Sequence, residues 1–261
     1  MWQEDRQQKI RELLTAYGRV STDRVSREFE VARETIRRDL VEMEQAGELR
    51  RVRGGAVPAT PKSASFQVRH TQHRQEKQAI AARALQFLEN GMTIFMDAGS
   101  TTSVMSEALS GYNGLVDLTV ITNSVNVARH LSDASGKRLR GFRVLMLGGE
   151  FRQDPMETFG AVTINEIHRY HADVAMVVPW GVDGLKGASD YHLYGAEVAR
   201  AMVHNAQQTI ILADHSKIGA PSRSVFCPPG EIDVLITDAG ARGLSAFESL
   251  RQSVSKVVVA E

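Results

Sequence analysis

The 261-residue chain contains a single cysteine, Cys227, which excludes an intramolecular disulfide and fits a reducing compartment. Net charge is also missing. Its 31 Lys and Arg offset 31 Asp and Glu, so any polyanionic partner must be met by a local cluster rather than by the molecule as a whole. No apolar run approaches the length of a membrane span. The opening Met1-Trp2-Gln3-Glu4-Asp5 is polar where a secretory signal would be apolar. These absences lead to the expectation of a cytoplasmic protein. Cys227, followed by Pro228 and Pro229, reads as an inert thiol at a half-buried strand end. What the chain has in quantity is hydrophobic residues, 43% of the total, enough to bury a core and to argue against disorder. Its length accommodates two domains.

Positive charge clusters near the start. Residues 1–57 carry 12 Lys and Arg against 11 Asp and Glu, but Arg33, Arg37 and Arg38 share one short stretch and Arg50, Arg51 and Arg53 another. Ile10, Leu13, Leu14 and Tyr17 recur at helical spacing, predicting a helix that Gly18 ends. Ser21 suits the N-cap of a second helix, with Asp23 in its first turn and Val25 and Phe29 on its apolar side. A third helix carries Ile36, Leu40 and Met43 on one face and stops at Gly47, which leaves Arg33, Thr35, Arg37 and Arg38 off that stripe. Leu49 to Val57 then reads as a hairpin, with Gly54-Gly55 permitting positive φ and Val52 anchoring it to the core. A helix fits the major groove of DNA, where arginines pair with guanine edges or phosphates. The competing reading is a protein-interaction domain with a solvated basic face.

Thr35-Ile36-Arg37-Arg38-Asp39-Leu40, Leu49 with Arg50-Arg51, and Gly54-Gly55-Ala56 resemble the winged helix-turn-helix of the DeoR family of bacterial transcription regulators. The resemblance implies that Arg33, Thr35, Arg37 and Arg38 reach the major groove of double-stranded operator DNA, while Arg50, Arg51 and Arg53 meet phosphates or the minor groove. Ala32 departs from the family, which often places a capping serine there; alanine at an N-cap costs about 0.5–2 kcal/mol.

The expected organisation is a winged helix-turn-helix domain over 1–57, a linker over 58–76 and an effector-binding α/β domain over 77–261. Pro58 to Ser65 is polar and proline-punctuated. An amphipathic helix with Ile80, Ala84, Leu85 and Leu88 follows, expected to sit on the second domain and relay its state. His70 and His73, two histidines without a third ligand, read as surface residues, and no metal or cofactor is expected. Beyond residue 90, apolar runs at 93–96, 118–121, 142–147, 172–178, 209–213, 233–237 and 256–259 alternate with helical segments. That pattern predicts a mostly parallel sheet covered on both faces.

Polar clusters follow several of these runs, at the strand ends where open α/β sheets bind ligands. Gly99-Ser100-Thr101-Thr102 offers amides, hydroxyls and a helix N-terminus, features suited to a phosphate. Thr122-Asn123-Ser124 repeats the arrangement, and Asp214-His215-Ser216-Lys217 adds a cation. The DeoR resemblance extends over these motifs and implies an effector domain similar to ribose-5-phosphate isomerase and the CoA-transferase superfamily, with a phosphorylated sugar or related metabolite as effector. On that resemblance Gly99, Ser100, Thr101 and Thr102 cradle the phosphate. Asp97, Thr122, Asn123 and Ser124 frame the pocket, and Asp183, Glu197 and Lys217 meet hydroxyls or phosphate.

The alternative is a sugar-phosphate isomerase or transferase with an added helical module, in which Glu197 is the base. Against it, the isomerase's Asp-Gly-x-Asp and Lys-Gly-Gly-Gly patterns are broken in Val182-Asp183-Gly184-Leu185-Lys186-Gly187. The expectation is therefore a non-enzymatic repressor that forms a homo-oligomer, although an activator would use the same parts. Trp180 is left open between lining the pocket and closing the core.

Overall fold

The computed structural model describes residues 2–17, 20–46, 48–52, 54–58, 65–132 and 142–261. The chain divides into two compact units, Met1–Thr71 and Gln72–Glu261.

In the first unit, α1 (Gln3–Tyr17), β1 (Val20–Ser21), α2 (Thr22–Glu28) and α3 (Arg33–Gln45) precede the hairpin β2 (Leu49–Val52) and β3 (Gly55–Pro58), and α4 (Phe66–Thr71) ends the unit. The strands form a sheet in the order β1-β3-β2. Ile10, Leu14, Val25, Ile36, Leu40 and Met43 come from three helical faces and close one core with Val20, Leu49 and Ala56. This is the three-helix and wing arrangement expected from the apolar spacing. Gly18, Gly47 and Arg53, all singled out from sequence, lie outside the described residues.

Three local expectations are corrected. Val52 is 41% exposed; the wing is anchored by Leu49 and Ala56 instead. Only Gly54 adopts positive φ, at 84°. Gly55 is required for close approach, because a Cβ there would stand 1.8 Å from the Val20 carbonyl oxygen. Ser21 occupies the N-cap of α2 but its hydroxyl makes no capping bond.

Part of the segment read as linker is helical. It contains α4 and the start of α5 (Arg74–Ala84). Within the second unit, Ile80, Ala81 and Ala84 of α5 are fully buried, together with residues of α6 (Ser100–Gly111) and of the strands β4 (Thr93–Met96) and β5 (Thr119–Thr122). The chain continues through α7 (Val125–Ser132), β6 (Arg143–Met146), β7 (Glu150–Arg152), β8 (Glu157–Phe159), α8 (Ala161–Ile167), β9 (Ala172–Val177), β10 (Gly181–Asp183) and β11 (Gly187–Asp190). It ends with α9 (Leu193–His204), β12 (Ala206–Leu212), β13 (Ser224–Cys227), β14 (Val234–Asp238), α10 (Ser245–Ser253) and β15 (Val257–Ala260).

The seven runs read from sequence form one seven-stranded sheet, ordered β15-β14-β12-β9-β4-β5-β6, and every pairing in it is parallel. Alternate residues serve opposite faces: Phe95, Ile121, Ala175 and Ile211 join one core, Ile94, Val120, Met176 and Ile210 the other. Burial on both faces is why each strand reads as a continuous apolar run. The order reverses between β4 and β9, with β5 and β6 lying to one side and β12, β14 and β15 to the other. Such a switch point opens a crevice at the carboxyl ends of the strands.

Two further sheets were not anticipated: the hairpin β7-β8 and the antiparallel set β10-β11-β13. Cys227 ends β13 fully buried, not half-buried, and burial pushes its thiol up to about 12, aided by Glu231 and Asp233.

Candidate functional site

In the first unit, Arg33, Arg37 and Arg51 line a cleft of about 320 Å³ between α3 and the wing, together with Gly54 and others. Burial of Ile36, Leu40 and Met43 turns the opposite side of α3 outward, so Arg33, Arg37 and Arg38 are exposed and Thr35 is partly so. Arg33 Nε lies 3.1 Å from Asp23, and Arg37 Nη1 lies 3.8 Å from Glu34. Both arginines are 70% exposed, so water screens these pairs and leaves the guanidinium groups able to exchange partners. Among the described residues, Arg38 and Arg50 form no ion pair. Arg51 is held more firmly: its backbone N–H and Nε donate to the Glu44 carboxylate at 2.8 and 2.7 Å. The Arg51 bonds hold the Glu44 carboxyl below the usual carboxylate range. Ala32 stands at the N-cap of α3, as read from sequence, with no side-chain bond to the helix amides.

In the second unit, Asp97 and Gly99 sit at the switch point. Asp97 Oδ2 accepts the Val178 N–H at 3.0 Å, tying the end of β4 to the end of β9. A Cβ on Gly99 would fall 2.2 Å from Val178 Cγ2, so glycine permits the two strand ends to close up. Gly99 is also the N-cap of α6. The first intrahelical bond runs from the Ser103 N–H to the Gly99 carbonyl at 3.0 Å. The amides of Ser100, Thr101 and Thr102 therefore have no acceptor within the helix. Thr102 donates its hydroxyl to the Gly99 carbonyl at 3.1 Å.

The next strand end repeats the pattern, since β5 pairs with β4 through Met96 and Thr122. Thr122 Oγ1 accepts the Ser124 N–H at 3.0 Å, and Ser124 Oγ accepts the Val127 N–H at 3.3 Å, capping α7. Asn123 Nδ2 donates to the Thr158 carbonyl at 2.9 Å. The remaining oxygens of the two central residues, Asp97 Oδ1 and Asn123 Oδ1, are buried with no hydrogen-bond partner among the described residues.

The Asp97 carboxyl is held well above the ordinary aspartate value of 3.8, chiefly by burial, with the Val178 bond opposing and the charges of Asp190 and Glu157 adding to it. Those two acidic residues were missed as site residues. Asp190 ends β11, just beyond the broken isomerase-like stretch Val182 to Gly187. Glu157, 5% exposed and 3.3 Å from Arg152, lies on the unanticipated hairpin and carried no local signal.

Of the other sequence-derived candidates, Asp183 Oδ1 accepts the N–H groups of Leu185 and Lys186 at 2.9 and 3.0 Å and so shapes the β10–β11 turn. Glu197 forms an ion pair with Arg200 one turn along α9. Lys217 Nζ lies 5.1 Å from the Trp180 ring centre, and Trp180 is half-buried beside Tyr191 rather than closing the core. His73 is not an isolated surface histidine: its ring centre is 4.8 Å from that of His215.

Comparison with known proteins matches residues 6–62 to the DeoR-like helix-turn-helix domain and residues 72–239 to the DeoR C terminal sensor domain. The chain is 35% identical over 242 residues to the HTH-type transcriptional repressor GlcR of Bacillus subtilis, covering 91% of this chain and 89% of that one. It is 29% identical over 240 residues to the glycerol-3-phosphate regulon repressor of Escherichia coli, covering 92% of each. Among solved structures, a D-ribose-5-phosphate isomerase bound to phospho-erythronic acid overlaps 55% of this chain and 53% of its own, with 18% identity and a TM-score of 0.41.

Proposed function

The chain belongs to the DeoR family of bacterial transcription regulators, and from that premise we propose a cytoplasmic repressor of a carbohydrate-metabolism operon, released from its operator by a phosphorylated sugar. The DNA-reading residues in this proposal are Arg33, Thr35, Arg37 and Arg38 on α3, with Arg50, Arg51 and Arg53 on the wing. The effector residues are Asp97, Gly99, Ser100, Thr101 and Thr102 at the end of β4, Thr122, Asn123 and Ser124 at the end of β5, and Asp183, Glu197 and Lys217 around them.

The observation that carries the effector half is the pair of orphaned oxygens, Asp97 Oδ1 and Asn123 Oδ1, beside the N-terminal turns of α6 and α7. A buried acceptor left unpaired costs about 1–3 kcal/mol. A ligand hydroxyl can donate to Asn123 Oδ1 and can donate to or accept from Asp97 Oδ1, whereas a phosphate takes helix amides and the positive end of the helix dipole. A phosphorylated polyol supplies both. The name of the Escherichia coli relative refers to glycerol 3-phosphate, a molecule of that class.

Binding rather than turnover is supported by how the isomerase-like acids are engaged. Glu197 is paired with Arg200, and Asp183 is occupied by its own turn. In the proposed mechanism two or more copies bind repeated operator sites. Ligand tightening of the switch point is passed through α5 to the DNA-binding units, with a reciprocal coupling of about 1–3 kcal/mol.

Thermal-shift screening against pentose and hexose phosphates tests the effector. A ligand at one hundred times its Kd adds about 2.7 kcal/mol of apparent stability, so a phosphorylated sugar should raise the melting temperature where its unphosphorylated form does not. Isomerisation of any of these compounds that disappears in Glu197→Gln would contradict the sensor reading.

A further inference from the structure

We propose that the second unit holds a divalent transition-metal ion, of the zinc type, between His73, Asp214 and His215. One ligand atom from each of these residues lies within 4.8 Å of the others. They come from separate segments. His73 is the N-cap of α5, whereas Asp214 and His215 follow β12 at the carboxyl edge of the large sheet.

The surroundings orient the donors as metal sites require. His215 Nδ1 is 2.8 Å from Asp238 Oδ2, which leaves Nε2 as the coordinating nitrogen; a carboxylate behind a ligating imidazole fixes its tautomer and strengthens it as a donor. Asp238 is itself held, accepting the His215 N–H at 2.7 Å and the Gly240 N–H at 2.9 Å. The His215 ring packs on Gly240, where a Cβ would come within 2.8 Å of the ring. Asp214 is 1% exposed, and its Oδ1 accepts the Ser216 N–H at 3.0 Å, which leaves Oδ2 as the metal ligand. His73 Nδ1 lies 3.9 Å from Glu76, a looser version of the same carboxylate support.

His73 also adopts φ 51°, a left-handed conformation uncommon outside glycine. In that conformation its ring meets the His215 ring edge-on, with centres 4.8 Å apart. Two imidazoles and one carboxylate suit zinc, cobalt or nickel rather than calcium or magnesium, whose preferred ligands are all oxygen. Three protein ligands leave a coordination position open to water or another donor. The ion would fasten the start of α5, the first helix of this unit, to the turn after β12, which Asp238 at the end of β14 supports through His215. None of its ligands belongs to the effector set proposed above, although Lys217 of that set lies in the same turn as His215.

Titration of chelator-treated full-length protein with zinc chloride, followed by calorimetry, tests the proposal, with cobalt chloride absorption reporting the ligand field. The expected result is one saturable site per chain, a raised melting temperature and a tetrahedral cobalt spectrum. The double variant His73→Asn with His215→Gln should lose this site; asparagine tolerates the left-handed backbone, so the fold is retained. Asp238→Asn should weaken binding about 10- to 100-fold while keeping all three ligands. Absence of saturable binding by wild type overturns the proposal. So does unchanged affinity in the double variant with an unaltered circular dichroism spectrum, which would assign the metal to other histidines.

Discussion

Arg6 and Asp39 form a two-pronged ion pair in the first unit: Arg6 Nε donates to Asp39 Oδ2 at 2.7 Å, and Nη2 donates to Oδ1 at 2.9 Å. Asp39 is 2% exposed and sits between the outward arginines of α3 and the buried Leu40. It faces α1 instead of the cleft, and so sets the angle at which α3 presents Arg37 and Arg38. Removing one partner of a buried pair costs about 3 kcal/mol. Asp39→Ala should lower the unfolding free energy of the first unit by about that amount, seen as a lower midpoint in urea, and weaken DNA binding, although the residue faces α1. An unchanged midpoint in urea would show that the pair has no such role.

Arg37→Ala and Arg38→Ala remove exposed guanidinium groups without touching the Ile36, Leu40 and Met43 face. Loss of one base-reading arginine is worth about 1–3 kcal/mol, so each variant should bind a selected duplex roughly 10- to 100-fold more weakly with normal circular dichroism. Arg50→Ala should instead weaken all duplexes alike and reduce the salt dependence by about one phosphate contact. Equal behaviour of the helix and wing variants across sequences would contradict this division of labour.

Ala32 leaves the α3 N-terminus without a side-chain cap. Ala32→Ser supplies one and should stabilise the first unit by about 0.5–2 kcal/mol in thermal unfolding. Because φ −60° and ψ 145° at this position already suit an N-cap, no backbone change is needed. A destabilised variant would mean that the hydroxyl cannot reach the helix amides.

Asp97 links stability to pH. Its folded-state carboxyl keeps a proton above the ordinary value of 3.8 because of burial first, with the nearby charges of Asp190 and Glu157 adding to the effect. From that value upward the folded chain binds more protons than the unfolded chain, so its contribution to stability falls as pH rises toward the folded value. Asp97→Asn keeps an oxygen for the Val178 N–H and removes the titration. The variant should therefore gain stability relative to wild type as pH rises through this interval. Parallel melting profiles for the two proteins would contradict the assignment.

The large sheet was legible because each strand feeds apolar cores on both faces, which writes a run of Val, Ile, Leu and Met into every segment. The hairpin β7-β8 and the set β10-β11-β13 use strands of three or four residues, several carrying glycine or acidic side chains, and leave no run to detect. The wing shows how register escapes such reading. Leu49 and Val52 are three apart and so point to opposite sides of one strand, and Leu49 takes the core. The hydroxyl-rich turns after β4 and β5 were visible because strand, turn and helix are consecutive in the chain. Asp190, Glu157 and the His73–Asp214–His215 group come from separated segments, and only the fold brings each set together.

The most direct test is release from DNA. A fluorescent duplex selected by the protein from a random pool is bound at low ionic strength, and phosphorylated and unphosphorylated sugars are titrated in while anisotropy is followed. The account predicts that a phosphorylated sugar releases wild type and its unphosphorylated counterpart does not. Gly99→Ala, whose Cβ would press on Val178, should bind the duplex normally yet resist release. Failure of wild type to prefer any duplex, or equal release of wild type and Gly99→Ala by the same sugar phosphate, would contradict it.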